Sequence, residues 1–242
     1  MNYNPPIATK KPYWLQKHKH QRNDPYFWLN ERENEDVLAY IDEENNYTDA
    51  VMAHTKENQE KLFTEIKSRI KEKDESVPYF LNGHFYYYRY EEGLEYPIHC
   101  RRKGNMEALE EVILDVNILA KDKPYCSVSG LKISPDTNLL SFSTDFVGRR
   151  IYTMQFKDLN TGKILPDIIE EVTGNIVWAN DNKTVFYTKQ DPITLRANRV
   201  YKHALGSDTN QDELVFTEND ETYSIGLSKT KSKAFILIEC HA

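Results

Sequence analysis

The nearest approach to a hydrolytic nucleophile in this sequence is Ser228, in the run Gly226-Leu227-Ser228-Lys229-Thr230. Acyl transfer by an activated serine uses a G-x-S-x-G elbow, a strained strand-to-helix turn that lifts the hydroxyl beside an oxyanion hole. Here the second glycine is replaced by Thr230, and strand and turn residues follow instead of a helix, so Ser228 reads as an ordinary strand residue. A histidine base must lie within hydrogen-bond reach of its nucleophile and be oriented by a third group. His18 and His20 form an H-x-H pair in a proline-studded arm without Cys or carboxylate neighbours, a weak metal signature. His84, His99 and His203 fall in strand-like segments and read as surface or packed residues, His54 lies in a helical segment, and His241 is next to the last residue. The carboxylate pairs Glu43-Glu44 and Glu170-Glu171 are adjacent in sequence, so their side chains project in different directions and read as solvated. We therefore expect no catalytic residue, no cofactor-binding residue and no metal ligand in this chain.

Composition narrows the remaining classes. A chain of 242 residues with 39% hydrophobic content has enough apolar material for a sizeable core and reads as soluble and globular. A net charge of −7 argues against nucleic acid or an anionic membrane as partner, because both need a coherent basic surface. The basic runs Lys17-His18-Lys19-His20 and Arg101-Arg102-Lys103 are short and read as solvated faces. The 16 tyrosines have strand spacing, which points to packing between strands rather than to base stacking. No apolar h-region follows the N-terminus, and no run approaches the ~18 apolar residues of a membrane span. Cys100, Cys126 and Cys240 are widely spaced with no C-x-x-C, which suits reduced thiols in a cytoplasmic protein.

Three zones of periodicity position these residues. An irregular arm with Pro5, Pro6 and Pro12 runs to about Pro25. From Asn34 to about Lys73, Val37, Tyr40, Ile41, Tyr47, Val51, Leu62, Phe63, Ile66 and Ile70 recur at three- and four-residue steps, which predicts two helices. Acidic residues crowd the start of this stretch and basic residues its end, as the helix dipole favours. From about Val77 the pattern becomes that of strands. The segment starting at Ser134 aligns with one starting at Ala179, 45 residues later, and a weaker copy starts at Thr230, a further 51 residues on. Periods of this length with about four short strands each are the mark of propeller blades. The expected strands are 131–134, 139–143, 150–156 and 163–169 in one blade, and 176–179, 184–189, 199–204 and 213–217 in the next.

The stretch Tyr86 to Gly104 reads as a β-hairpin, with two aromatic and β-branched segments around a polar loop in which Gly93 supplies a positive φ. It also resembles the first propeller hairpin of the oligopeptidase B branch of the prolyl oligopeptidase family of serine peptidases. Asp24-Pro25-Tyr26-Phe27-Trp28-Leu29 is similar to the element that opens members of that family, and the run Tyr40 to Thr48 to the helix that follows it. Gly148-Arg149-Arg150-Ile151-Tyr152-Thr153, Val177-Trp178-Ala179-Asn180-Asp181-Asn182 and Leu195 to His203 strengthen the likeness, in the right order and across nearly the whole chain.

The resemblance implies a mainly β fold: a helical N-terminal segment within residues 1–75, then a partial β-propeller of about three to four blades over residues 76–242, cut within a blade. It implies a missing C-terminal α/β-hydrolase domain that carries the Ser-Asp-His triad, with the propeller limiting access to short peptides that are cleaved after Lys or Arg. This chain alone is then expected to be inactive. Arg149, Arg150, Glu170 and Glu171 are the candidate contacts to the hydrolase domain. Two other readings stay open: a non-enzymatic propeller scaffold that binds a protein or peptide through its open edge, and one half of a split peptidase.

Overall fold

A computed structural model describes residues 4–242. The chain divides into two compact units, Met1–Lys71 and Glu72–Ala242.

In the first unit the arm is irregular over residues 4–13, but its second half is not. Strands β1 (Trp14–Lys17) and β2 (His20–Asn23) pair antiparallel around a two-residue turn, in which His18 and Lys19 have φ of 50° and 63°. The sequence hides this hairpin because both strands are almost wholly exposed, so no apolar–polar alternation marks them even though β1 begins with Trp14 and Leu15, and because the turn lacks glycine. The flanking chain is held by local bonds. Tyr13 stacks on Phe27 with ring centroids 4.0 Å apart, and the Trp28 indole N–H donates to the Thr9 carbonyl at 2.9 Å. The Lys11 ammonium lies 4.3 Å from the centre of the Trp28 ring and 2.6 Å from the Asp36 carboxylate.

Helices α1 (Glu35–Met52) and α2 (Lys56–Ser68) follow, separated by one 3-10 turn. Asn34 caps α1 by accepting from the Asp36 N–H, with Glu35 and Asp36 in the first turn. The apolar stripe that predicts these helices is mostly uncovered: Val37 is buried, whereas Leu38, Ile41, Leu62, Phe63, Ile66 and Ile70 are exposed.

The second unit is a series of antiparallel sheets. Strands β3 (Tyr79–Leu81), β4 (His84–Arg89), β5 (Ile98–Lys103) and β6 (Glu110–Asp115) form the first, in sequence order. The β4–β5 pair is the expected hairpin, with Gly93 at φ 78° in its loop. After a short helix α3 (Val116–Ala120), seven strands form one continuous sheet: β7 (Ser127–Ile133), β8 (Leu139–Asp145), β9 (Tyr152–Asp158), β10 (Ile164–Trp178), β11 (Thr184–Gln190), β12 (Ala197–Ala204) and β13 (Glu213–Thr217). Two segments expected as separate strands, 163–169 and 176–179, are the two halves of β10. The first half pairs with β9 and the second with β11, and register shifts around Val172 mark the bend between them. Each half thus closes a four-stranded meander, β7–β10 or β10–β13. Strands β14 (Ser224–Lys229) and β15 (Ile236–His241) pair separately.

The aligned segments at 134, 179 and 230 prove to be one turn used three times. Thr137, Asn182 and Lys233 all have φ between 60° and 68°. In each copy the N–H at the head of the turn donates to the carbonyl five residues on: Ser134 to Leu139, Ala179 to Thr184 and Thr230 to Phe235. Apolar layers then join successive sheets. Tyr86, Ile113 and Leu114 of the first sheet meet Leu140 and Phe142 of β8. Met154 and Phe156 meet Ile176, Trp178, Val185 and Tyr187. Val177 and Val200 meet Ile225 and Leu227 of β14.

Candidate functional site

Ser228 lies on β14 opposite Leu237, and its hydroxyl donates to Glu239 Oε1 at 2.8 Å. That bond ties two strands together and involves no base, so the serine is a strand residue as the sequence suggests. His18 and His20 are divided between the turn and the start of β2. The cysteines offer no activated thiolate either. Burial pushes Cys100 up to about 11 and also raises Cys126 and Cys240.

The histidine with the most developed surroundings is His203, which reads from the sequence as an ordinary strand residue. It is fully buried on β12, with Nδ1 2.6 Å from Asp212 Oδ1 and Nε2 3.0 Å from Asp167 Oδ1. Asp167 also accepts from the Gly206 N–H, and Asp212 Oδ2 accepts from the Tyr187 hydroxyl at 2.7 Å. Burial, and after it that carboxylate, raises the Tyr187 pKa far above the ordinary tyrosine value. A general base must offer one ring nitrogen to its nucleophile, and here both face carboxylates. The group is a clamp that joins β10, β11, β12 and the segment before β13. No local motif signals it, because Asp167 and His203 lie 36 residues apart.

Arg149, Arg150, Glu170 and Glu171 are all exposed. Asp145 shapes the loop that carries the arginines by accepting from the N–H groups of Val147, Gly148 and Arg150 at 2.7–2.9 Å. Gln190 then donates to the Arg150 carbonyl, bringing the β11–β12 loop alongside. Glu171, at φ 59° in the bend of β10, lines a cleft of about 350 Å³ with Lys189, Arg199 and Tyr201. None of the four charges makes an ion pair among the described residues.

These loops have a pH signature. Burial works against ionisation of Asp145, but its three backbone donors outweigh burial and hold the carboxyl below the ordinary aspartate range. Asp136 behaves likewise, with burial outweighed by the Ser134 hydroxyl and Asn138. Asp181 is held low by Thr184 first, and Asp191 by the Thr194 N–H first. A depressed carboxyl stabilises the fold above its unfolded pKa of about 4, and that contribution disappears as pH falls through the folded value. Burial also lowers the His99 pKa, so the urea midpoint is expected to decline gently from about pH 7 to 5, as the unfolded imidazole takes up its proton first, and to drop steeply below about pH 4. An unchanged midpoint at pH 3 would contradict the turn geometry.

Four-stranded antiparallel meanders in sequence order, joined through a shared bent strand, are consistent with a propeller domain. Residues 5–241 match the family model described as prolyl oligopeptidase, N-terminal beta-propeller domain. The chain belongs to the prolyl oligopeptidase family of peptidases and corresponds to sequence of its N-terminal propeller domain. Its likeness within that family is to oligopeptidase B: it superposes on the Leishmania major enzyme with a TM-score of 0.90 at 31% identity, over 99% of this chain and 36% of that one. The Trypanosoma brucei oligopeptidase B in its closed form, with covalently bound antipain, gives 0.88 at 27%, over 98% of this chain and 36% of that one. Among curated relatives, "Dipeptidyl aminopeptidase BI" of Pseudoxanthomonas mexicana is 42% identical over 97% of this chain and "Protease 2" of Moraxella lacunata is 35% identical over 96%. The chain spans 35% of the length of each of these two relatives.

Proposed function

We propose that this chain is the non-catalytic propeller part of an oligopeptidase B-like serine endopeptidase that cleaves short peptides after Lys or Arg. The likeness to oligopeptidase B along almost the whole chain carries this reading. The sheets β3–β6, β7–β10 and β10–β13 are then three blades and β14–β15 part of a fourth, which together restrict the access of substrate. Its partner is a C-terminal α/β-hydrolase domain, and its setting is the cytoplasm, consistent with three free cysteines. The uncovered stripe of Leu62, Phe63, Ile66 and Ile70 gives α2 an apolar face suited to that domain, since contiguous apolar surface marks an interaction site. Arg149, Arg150, Glu170 and Glu171, free of ion pairs among the described residues, are the proposed charged contacts to it.

The 42% identity to a protein named dipeptidyl aminopeptidase favours a second reading, release of dipeptides from a free N-terminus. Purified alone, the chain is expected to give no turnover of an Arg- or Lys-amide substrate, and serine-dependent turnover would overturn the proposal. Exchanged for the matching N-terminal segment of an oligopeptidase B, it is expected to preserve cleavage of N-terminally blocked Arg substrates. Cleavage only of substrates with a free amino terminus two residues before the cut would favour the second reading. Reversing the charges of Arg149, Arg150, Glu170 and Glu171 in that enzyme is expected to lower activity several-fold, and unchanged activity would remove those residues from the interface.

A further inference from the structure

The thrice-repeated turns gather at one end of the inner strands, beside a cavity of about 510 Å³. Its walls include Leu81, Ile133, Val177, Trp178 and Leu227, and its rim carries Lys132, Lys229, Lys231 and Lys233, with no carboxylate among the lining residues. Four ammonium groups around a partly apolar cavity are unexpected in a chain of net charge −7. Two of them are held in place by bonds between turns. Lys229 Nζ donates to the Trp178 carbonyl at 2.8 Å and to Asn180 Oδ1 at 2.7 Å, and Lys233 Nζ donates to Asn82 Oδ1 at 2.7 Å. Asn180 in turn donates to the Lys233 carbonyl, and Asn82 to the Pro135 carbonyl.

All these acceptors are neutral, so position is fixed while charge is not neutralised. An ammonium has three protons, which leaves Lys229 one and Lys233 two for a ligand. Burial first, and then the charge of Lys233, lower the Lys229 pKa, with Asp181 opposing them. The Lys132 and Lys231 side chains are exposed and make no hydrogen bond among the described residues.

We infer that this lysine-rimmed cavity binds the C-terminal carboxylate of a short peptide whose last side chain is apolar. The charge complementarity selects an anion, the exposed Leu81 and half-buried Ile133 of the wall select an apolar neighbour to that anion, and the volume lies in the range of small-ligand pockets. The inference does not rest on the Lys/Arg reading, because it concerns binding by this chain without any catalytic domain.

The test is calorimetric titration of the chain at pH 7 with acetyl-Ala-Ala-Phe as free acid and as C-terminal amide. The acid is expected to bind at least about tenfold more tightly than the amide, a difference of about 1.4 kcal/mol. The double substitution Lys132→Gln/Lys231→Gln touches no internal bond, and is expected to weaken the acid several-fold while leaving the amide unchanged. Equal binding of acid and amide, binding of neither, or undiminished binding of the acid by the variant would overturn the assignment. So would displacement of the acid by equimolar inorganic phosphate, which would make the cavity a general anion site.

Discussion

Replacing His203 by leucine is expected to destabilise the fold by about 3–5 kcal/mol, a large share of the roughly 5–15 kcal/mol that holds a domain together. The cause is what remains after the ring is gone. His203 is fully buried, the side chains of Asp167 and Asp212 are each only 4% exposed, and both carboxylates aim at the imidazole. Without the ring, the two buried acid side chains lose the partner they share, and a buried hydrogen-bonding group left unpaired from one side costs far more than one that was never built. The remedy follows from the same reasoning. Adding Asp167→Asn and Asp212→Asn to His203→Leu removes both charges, keeps an acceptor for the Gly206 N–H and the Tyr187 hydroxyl, and is expected to recover at least about half of the loss. Urea unfolding of the two variants against the parent measures both numbers. A His203→Leu variant within about 1 kcal/mol of the parent would mean that the clamp contributes little.

Gly174→Ala is expected to cost about 2–5 kcal/mol, for two separable reasons. Gly174 has φ +83°, where an L residue pays roughly 1–2 kcal/mol. Its Cβ would also lie 2.7 Å from Ser129 Oγ and 2.8 Å from Ser129 Cβ, in the bend of β10 where this strand passes β7. Overpacking of this kind typically adds about 1–3 kcal/mol. Gly130 faces the same crossing from the other side, and its Cβ would lie 2.7 Å from the Gly174 carbonyl oxygen. Gly93 separates the two causes. It has φ +78° and nothing within 4 Å of where a Cβ would sit, so Gly93→Ala is expected to cost only the backbone part, about 1–2 kcal/mol. Pairing Gly174→Ala with Ser129→Gly removes the clashing side chain and is expected to restore the steric part alone. Equal losses for Gly93→Ala and Gly174→Ala would show that the crossing is looser than the distances state.

The repeat at 134, 179 and 230 is legible in the sequence because it is a local object. A Ser, Ala or Thr at the head, Asp136 or Asp181 accepting nearby N–H groups, and one left-handed residue specify the turn within a few positions. The hairpin after Tyr86 and the capped start of α1 at Asn34 are legible for the same reason. The exposed strands β1 and β2 escape detection because no buried face imposes an alternation on them. The join of 163–169 to 176–179 into β10 also escapes, because the bend at Glu171 and Gly174 looks like a loop until both neighbouring strands are present to pair with it. The four charges proposed as contacts stand out in sequence only by their place near blade ends, and the folded chain adds that they are exposed and make no ion pair among the described residues.

The sequence by itself determined the family likeness, the strand and helix periodicities and the absence of a nucleophile elbow, all of which depend on residues close together along the chain. Tertiary structure alone decided that His203 would be a buried clamp rather than an ordinary strand residue, because its partners arrive from 36 and 9 residues away. It alone decided that Lys233 would reach Asn82, 151 residues distant, and set four lysines around one cavity. Lys229, Lys231 and Lys233 lie within five residues of one another, but only the stacking of one sheet on the next brings Lys132 and the apolar wall beside them.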